Sequence, residues 1–181
     1  VIIGAGNVAM DVARCAVRLG AEEVFILYRR TRHESPARQE EVQHALDEGI
    51  RFIELVNPVR VQGRSDGWTE SIVLERMQLG EPDTSGRPRP VRIEGSEFVM
   101  EIDTVVEALG TRPNRLFLDK MPKLEKTDWG TIKVDRSLKT SIDGIYAGGD
   151  AIRGNATVIL ALGDGRRAAR SIHEFLSSRT V

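Results

Sequence analysis

The chain has 181 residues, 40% of them hydrophobic, with 26 basic and 27 acidic side chains for a net charge of −1. That suffices for one large domain or two small ones and leaves no overall field to attract nucleic acid or an anionic membrane, so any anion site must be local. The single cysteine rules out an internal disulfide, a CxxC redox pair or a cysteine-built iron–sulfur site within these residues, and no apolar run nears the ~20 residues that span a bilayer; the expectation is a soluble, cytoplasmic protein.

The opening "VIIGAGNVAMDVARCAVRLGA" reads as a strand, a glycine turn and a helix. Its apolar run is very short for a central strand and starts at Val1, which suggests a piece of a longer polypeptide. Gly4, Gly6 and Ala9 stand at the spacing GxGxxA. Gly4 suits a tight turn, Gly6 lets a pyrophosphate approach the main chain, and Ala9 keeps the helix close to the strand. The helix N-terminus, with Asn7 and Val8 in its first turn, offers free N–H groups to phosphates. Val8, Val12, Cys15 and Leu19 form the expected apolar stripe, which makes Cys15 a core residue and not a redox group.

"VFILY", Val24 to Tyr28, is a continuous apolar run of the kind covered on both faces, and it completes a βαβ unit. About 20 positions beyond the glycine motif, where an NAD-binding unit carries an acid for the ribose 2′-hydroxyl, stands Arg29. Arg29, Arg30 and Arg32 cannot accept from a hydroxyl. A guanidinium can donate two hydrogen bonds to a 2′-phosphate, so the expected cofactor is NADPH, with Arg29 and Arg30 as its selectors. A helix capped by Ser35, with Pro36 in its first turn and Gly49 as its stop, follows. His33 and His44 lack partners at ligand spacing, and no metal site is expected.

"RFIEL", Arg51 to Leu55, is a third strand interrupted at Asn57-Pro58. From there to Ile102, short β-prone runs predict an antiparallel meander, with "GEPDTSGRPRP", Gly80 to Pro90, as an exposed mobile loop. "DTVVEALG", Asp103 to Gly110, reads as a buried strand, after which "TRPN" turns the chain. The fold class is thus α/β: a Rossmann-like NAD(P)-binding domain over residues 1–110 with a β-meander crossover, then a different unit over residues 111–181. There "GIYAGGD" reads as a strand. Val158, Ala161, Leu162, Gly165, Ala168, Ala169, Ile172 and Leu176 form a stripe on a helix that should dock firmly.

"GAGNVAMDVAR", "YRRTRHESPA", "VVEALGTRPN" and "TSIDGIYAGGDAIRGNATVILALGDGRRAA" together resemble the small (beta) subunit of NADPH-dependent glutamate synthase and related flavoproteins with two dinucleotide-binding domains. The resemblance covers nearly the whole chain. It implies that Gly110 leads back into an FAD domain, that Gly149 and Asp150 lie near the ribityl and pyrophosphate part of FAD, and that Thr157 and Val158 face the flavin ring. Residues 111–181 would then be the C-terminal segment of the FAD-binding domain. The first FAD glycine motif and the family's N-terminal iron–sulfur cysteines do not occur here, so a half-site for FAD and an inactive isolated fragment are expected. The implied partners are the missing FAD and iron–sulfur regions and either a large catalytic subunit or a ferredoxin-type acceptor.

Hydride transfer between nicotinamide and flavin needs no side-chain acid or base, so no catalytic residue is named. Neither Tyr28 nor Tyr146 has the Lys four positions on that a short-chain dehydrogenase needs, and no GxxxxGK[ST] phosphate loop occurs. The alternative from another class is a noncatalytic NADP(H)-sensing regulatory module.

Overall fold

The computed structural model describes residues 1–83, 86–111 and 113–178. Arg112 of the expected turn, and Thr84 and Ser85 of the expected loop, lie outside the described residues. The chain divides into two compact units, Val1–Leu109 and Gly110–Val181.

Unit 1 is built on a parallel sheet of order β3-β2-β1-β8, with β1 Ile2–Ile3, β2 Phe25–Tyr28, β3 Arg51–Glu54 and β8 Val106–Glu107. Register pairs Ile2 with Ile26 and Ile3 with Leu27. Because successive side chains alternate between faces, Ile2 and Ile26 point to one core and Ile3 and Leu27 to another. The first core is closed by α1 Asn7–Arg18 and α2 Gln39–Asp47 through Ala9, Met10, Ala13, Val42 and Ala45. The second is closed by the antiparallel strands through Val56, Ile72 and Leu74. A continuous apolar strand is therefore covered on both sides, each fully buried aliphatic contributing about 1.5–3 kcal/mol.

The antiparallel part runs β4 Val56–Gly63, β5 Thr69–Pro82, β6 Pro88–Arg92 and β7 Phe98–Glu101. It is not a simple meander. The 14-residue β5 pairs with β4 and β7 along its first half and with β6 along its second. Pro58 stays within β4, at a register irregularity between Pro58 and Arg60 on a strand that ends the sheet, a place where a missing N–H is tolerated. Gly80 to Pro90, expected as a mobile loop, instead contributes residues to both β5 and β6.

Three further expectations are corrected in unit 1. The buried face of α1 is Ala9, Met10 and Ala13, while Val8 and Leu19 are 63% and 88% exposed and Cys15 is exposed; small side chains, not the branched ones, let the helix approach the sheet. α2 starts at Gln39, after a 3₁₀ turn at Arg32–Glu34, because Ser35 is engaged elsewhere. β8 is exposed, as the last strand of its sheet.

Unit 2 carries α3 Arg115–Asp119, α4 Asp150–Arg153 and α5 Val158–Ser177, with isolated antiparallel bridges in place of named strands among the described residues. "GIYAGGD" makes only the bridge Lys139↔Tyr146. A strand needs a partner along its length, and here it has one at a single residue. Asp164 is the only residue of α5 classed as buried among those described, whereas Val158, Ile159 and Leu162 are 76%, 80% and 65% exposed. The expected firm docking of this stripe is thus not what the structure shows.

Candidate functional site

At the end of β1, Gly4 has φ +120 and donates its N–H to the Leu27 carbonyl at 3.1 Å. A Cβ placed there would lie 2.6 Å from the Ala108 carbonyl oxygen. Gly4 thus serves close approach between β1 and the residue following β8 as well as the turn itself. Gly6 differs: its φ is −84, and a Cβ would meet only the Pro36 ring at 4.0 Å. It stands at the N-cap of α1, and no side chain caps that helix. The first-turn N–H groups are left for an external acceptor, the arrangement that suits a phosphate. Ala9 is fully buried beneath this turn.

The segment after β2 is tied to the glycine turn by side chain–backbone bonds. Ser35 Oγ donates to the Ala5 carbonyl at 2.6 Å, and Asn7 Oδ1 accepts from the Arg38 N–H at 2.9 Å. Tyr28 donates its hydroxyl to the Glu34 carbonyl at 3.0 Å. Thr31 and Glu34 form a reciprocal capping box on the 3₁₀ turn. Burial would raise the Glu34 pKa, but the Thr31 hydroxyl and N–H outweigh it and hold the carboxyl below its ordinary value. Asn7 therefore has one side-chain atom engaged within the loop, while Val8 projects into solvent.

The three arginines part company. Arg29 is exposed and has no hydrogen bond or ion pair among the described residues. Arg30 is 5% exposed, with Nε donating to the Pro88 carbonyl at 2.7 Å and Nη2 to Asp83 Oδ2 at 3.0 Å. Arg32 turns to β3, where its Nε meets Glu54 Oε1 at 2.5 Å and its guanidinium stands over the Phe52 ring. Of the two cations expected at the ribose, only Arg29 has its guanidinium available as folded.

In unit 2, Gly149 has φ +62 and stands at the N-cap of α4. Its N–H donates to Asp164 Oδ2 at 3.0 Å, and a Cβ on Gly148 would lie 2.9 Å from the Asp164 Cβ. Asp164, 1% exposed, also accepts from Arg153 Nε and Nη2 at 2.7 and 2.8 Å and from Arg167 Nη2 at 2.5 Å. The Arg153 guanidinium first, then Arg167, holds its carboxyl well below the usual carboxylate range, and the same pairing raises Arg153. Asp150 is exposed, with Oδ1 accepting from the Ala156 N–H at 3.3 Å. Thr157 caps α5 through the Leu160 N–H at 3.4 Å, and a Cβ on Gly110 would lie 3.3 Å from Asn155 Nδ2. Gly110, Gly149, Asp150, Thr157 and Val158 thus all fall in unit 2, and Gly4, Gly6, Asn7, Val8, Ala9, Arg29 and Arg30 in unit 1.

Sequence reasoning missed Asp164, Arg153 and Arg167. The available signal was a lone acid between Gly163 and Gly165 in an otherwise apolar stripe, with Arg167 three residues on. It also missed the Thr31-x-x-Glu34 capping box, whose spacing is itself diagnostic.

Residues 1–165 match the pyridine nucleotide-disulphide oxidoreductase family. The chain is 46% identical over 181 residues to the NADP(+)-dependent formate dehydrogenase subunit beta of Moorella thermoacetica, covering 99% of this chain and 25% of that protein. To the glutamate synthase [NADPH] small chain of Azospirillum brasilense it is 42% identical over 182 residues, covering 99% of this chain and 37% of that protein. The thioredoxin reductase of Lactococcus lactis shares the fold with a TM-score of 0.77 at 23% identity, over 98% of this chain and 52% of that one. The chain therefore spans only part of the length of each relative.

Proposed function

The chain belongs to the pyridine nucleotide-disulphide oxidoreductase family, and on that premise we propose that it is the NADPH-binding and trailing FAD-contacting part of an oxidoreductase that passes electrons to an acceptor outside these residues. The observation that carries this reading is Arg29: an exposed guanidinium, unengaged among the described residues, directly after β2 and beside a glycine turn whose helix has no side-chain cap. Gly6, where a Cβ would meet only the Pro36 ring at 4.0 Å, fits the approach of a pyrophosphate. The first turn of α1, through Asn7, Val8 and Ala9, donates N–H groups to it. Gly4 and Ala9 shape the turn, and Arg29 binds the 2′-phosphate. The names of the formate dehydrogenase and glutamate synthase relatives, which specify NADP(+) and NADPH, support the same cofactor.

When bound, NADPH and FAD supply the redox chemistry, hydride transfer between nicotinamide and flavin. The residues of the chain bind and orient. Residues 1–110 hold the nicotinamide nucleotide; Gly110, where the chain passes to the second unit, and residues 111–181, through Gly149, Asp150, Thr157 and Val158, contribute to the FAD site. Asp164 holds the Gly149 N–H and the Arg153 guanidinium, which fixes the glycine turn that a flavin nucleotide would lie against. By this reading these residues alone do not sustain turnover. The remainder of the FAD site, iron–sulfur centres and a large subunit or ferredoxin-type acceptor complete it, in the cytoplasm. Among the described residues no helix is long and apolar enough to cross a membrane.

The test is calorimetric titration of the chain with NADPH and with NADH. One charge-assisted contact of about 1.5–3 kcal/mol gives NADPH on the order of a tenfold or greater advantage, and Arg29→Ala erases it. Equal affinities in the unmodified chain would refute the reading.

A further inference from the structure

Arg30 stands next to the residue that would grip the phosphate, yet its own guanidinium is withdrawn. The side chain is 6% exposed, and both its Nε and its Nη2 are spent on the β5–β6 hairpin, at Pro88 and Asp83, more than 50 positions away in sequence. Its carbonyl is engaged as well, accepting from the Leu55 N–H at 3.2 Å, while Leu55 in turn accepts from the Met77 N–H at 2.8 Å. On the far side the Thr31 N–H donates to Glu34 Oε2 at 2.9 Å. Arg29 is therefore flanked by β2, which ends at Tyr28, and by a residue clamped at three atoms. Its backbone has little freedom, and its side chain departs from a fixed point.

We propose that Arg30 is a positioning residue for nucleotide selectivity, which acts through Arg29, and that the β5–β6 hairpin is thereby a specificity-determining element. The inference rests on the proposed binding of NADPH at Arg29. A carbonyl and a carboxylate held by one planar fork fix the direction of the chain in a way a single contact does not. A phosphate-binding guanidinium gains from being placed before the ligand arrives, since less ordering remains to be done on binding. Were Arg30 itself the ligand, it would have to leave both hairpin partners and an environment from which water is nearly excluded.

The two roles give opposite signs when Asp83 is altered. Asp83→Asn weakens the clamp. A positioning Arg30 then lowers the ratio of NADPH to NADH affinity, by about threefold or more for one loosened charge-assisted contact, with NADH affinity unchanged. Asp83→Glu, which restores a carboxylate, recovers part of the ratio. In the Arg29→Ala background Asp83→Asn has no further effect on the ratio, because the two changes act through one contact. Titration of the unmodified chain and the four variants reads all of this, with thermal melting to confirm folding. A ratio unchanged or raised by Asp83→Asn, a parallel loss of both nucleotides, or a full effect in the Arg29→Ala background would each overturn the proposal. Hydrogen exchange on the unmodified chain is an independent check: the Thr31 and Leu55 amides, which donate to Glu34 Oε2 and to the Arg30 carbonyl, should be protected before nucleotide is added, and fast exchange there would contradict a preset clamp. Equal NADPH and NADH affinities in the unmodified chain would remove the underlying reading, and this inference with it.

Discussion

Alanine at Gly4 and alanine at Gly6 should separate folding from binding. At Gly4 the new Cβ would sit 2.6 Å from the oxygen and 3.1 Å from the carbon of the Ala108 carbonyl, both backbone atoms that cannot swing aside. The residue would also have to hold φ +120, which costs a side chain about 1–3 kcal/mol. Overpacking adds about 1–3 kcal/mol, so Gly4→Ala should lose roughly 2–6 kcal/mol from a total that is typically about 5–15. Gly6, at φ −84 with nothing nearer than 4.0 Å, should accept alanine within about 1 kcal/mol. Its Cβ, however, occupies the approach to the helix N-terminus. NADPH and NADH affinity should both fall, on the order of tenfold or more for even one displaced phosphate hydrogen bond, and by equal factors, because the two share the pyrophosphate. Urea unfolding and titration of both variants provide the assay. If Gly4→Ala is as stable as the unmodified chain, or if Gly6→Ala binds both nucleotides normally, the assignment of these glycines is refuted.

Two further outcomes are expected. Asp164→Asn should lower the melting temperature at pH 7. Because the native carboxyl titrates below its unfolded value of about 3.9, its stabilisation is complete above about pH 5 and lost as pH falls toward the native pKa; the gap between variant and unmodified chain should therefore narrow below about pH 4, and a gap unchanged at pH 3 would contradict the pairing with Arg153 and Arg167. Ser35→Ala removes the donor to the buried Ala5 carbonyl and should cost about 1–3 kcal/mol in urea unfolding; no change would show that this tie does not hold the loop to the glycine turn.

The sequence was informative where local chemistry decides the structure. GxGxxA followed by a helix and an apolar run announced β1, α1 and β2, because turn geometry, helix periodicity and double-sided burial all act within thirty residues. It was less informative where partners are distant. Nothing near Arg30 reveals that Asp83 and Pro88 will claim it, so two adjacent arginines read alike although one is exposed and the other buried. The helix stripes failed for a related reason. Val8 and Leu19 are apolar and correctly spaced, yet the sheet is met by Ala9, Met10 and Ala13, since close packing rewards small side chains that periodicity does not weigh. The strand expected at "GIYAGGD" finds a partner only at Tyr146 within unit 2, and the stripe on α5 is exposed along much of its length; a pattern of apolar residues states what a segment can bury and leaves open against what. Asp164 was legible in principle. A charge set between glycines on an apolar face must be paired, and Arg167 one helical turn away was the nearest candidate.

The most direct measurement is the phosphorus resonance of the 2′-phosphate of NADP(+) as a function of pH, free and bound to the chain. A phosphate monoester has its second pKa near about 6; contact with the Arg29 guanidinium should hold the bound group dianionic to lower pH, and Arg29→Ala should return its titration to that of the free nucleotide. A bound 2′-phosphate that titrates like the free one in the unmodified chain would show that Arg29 does not grip it.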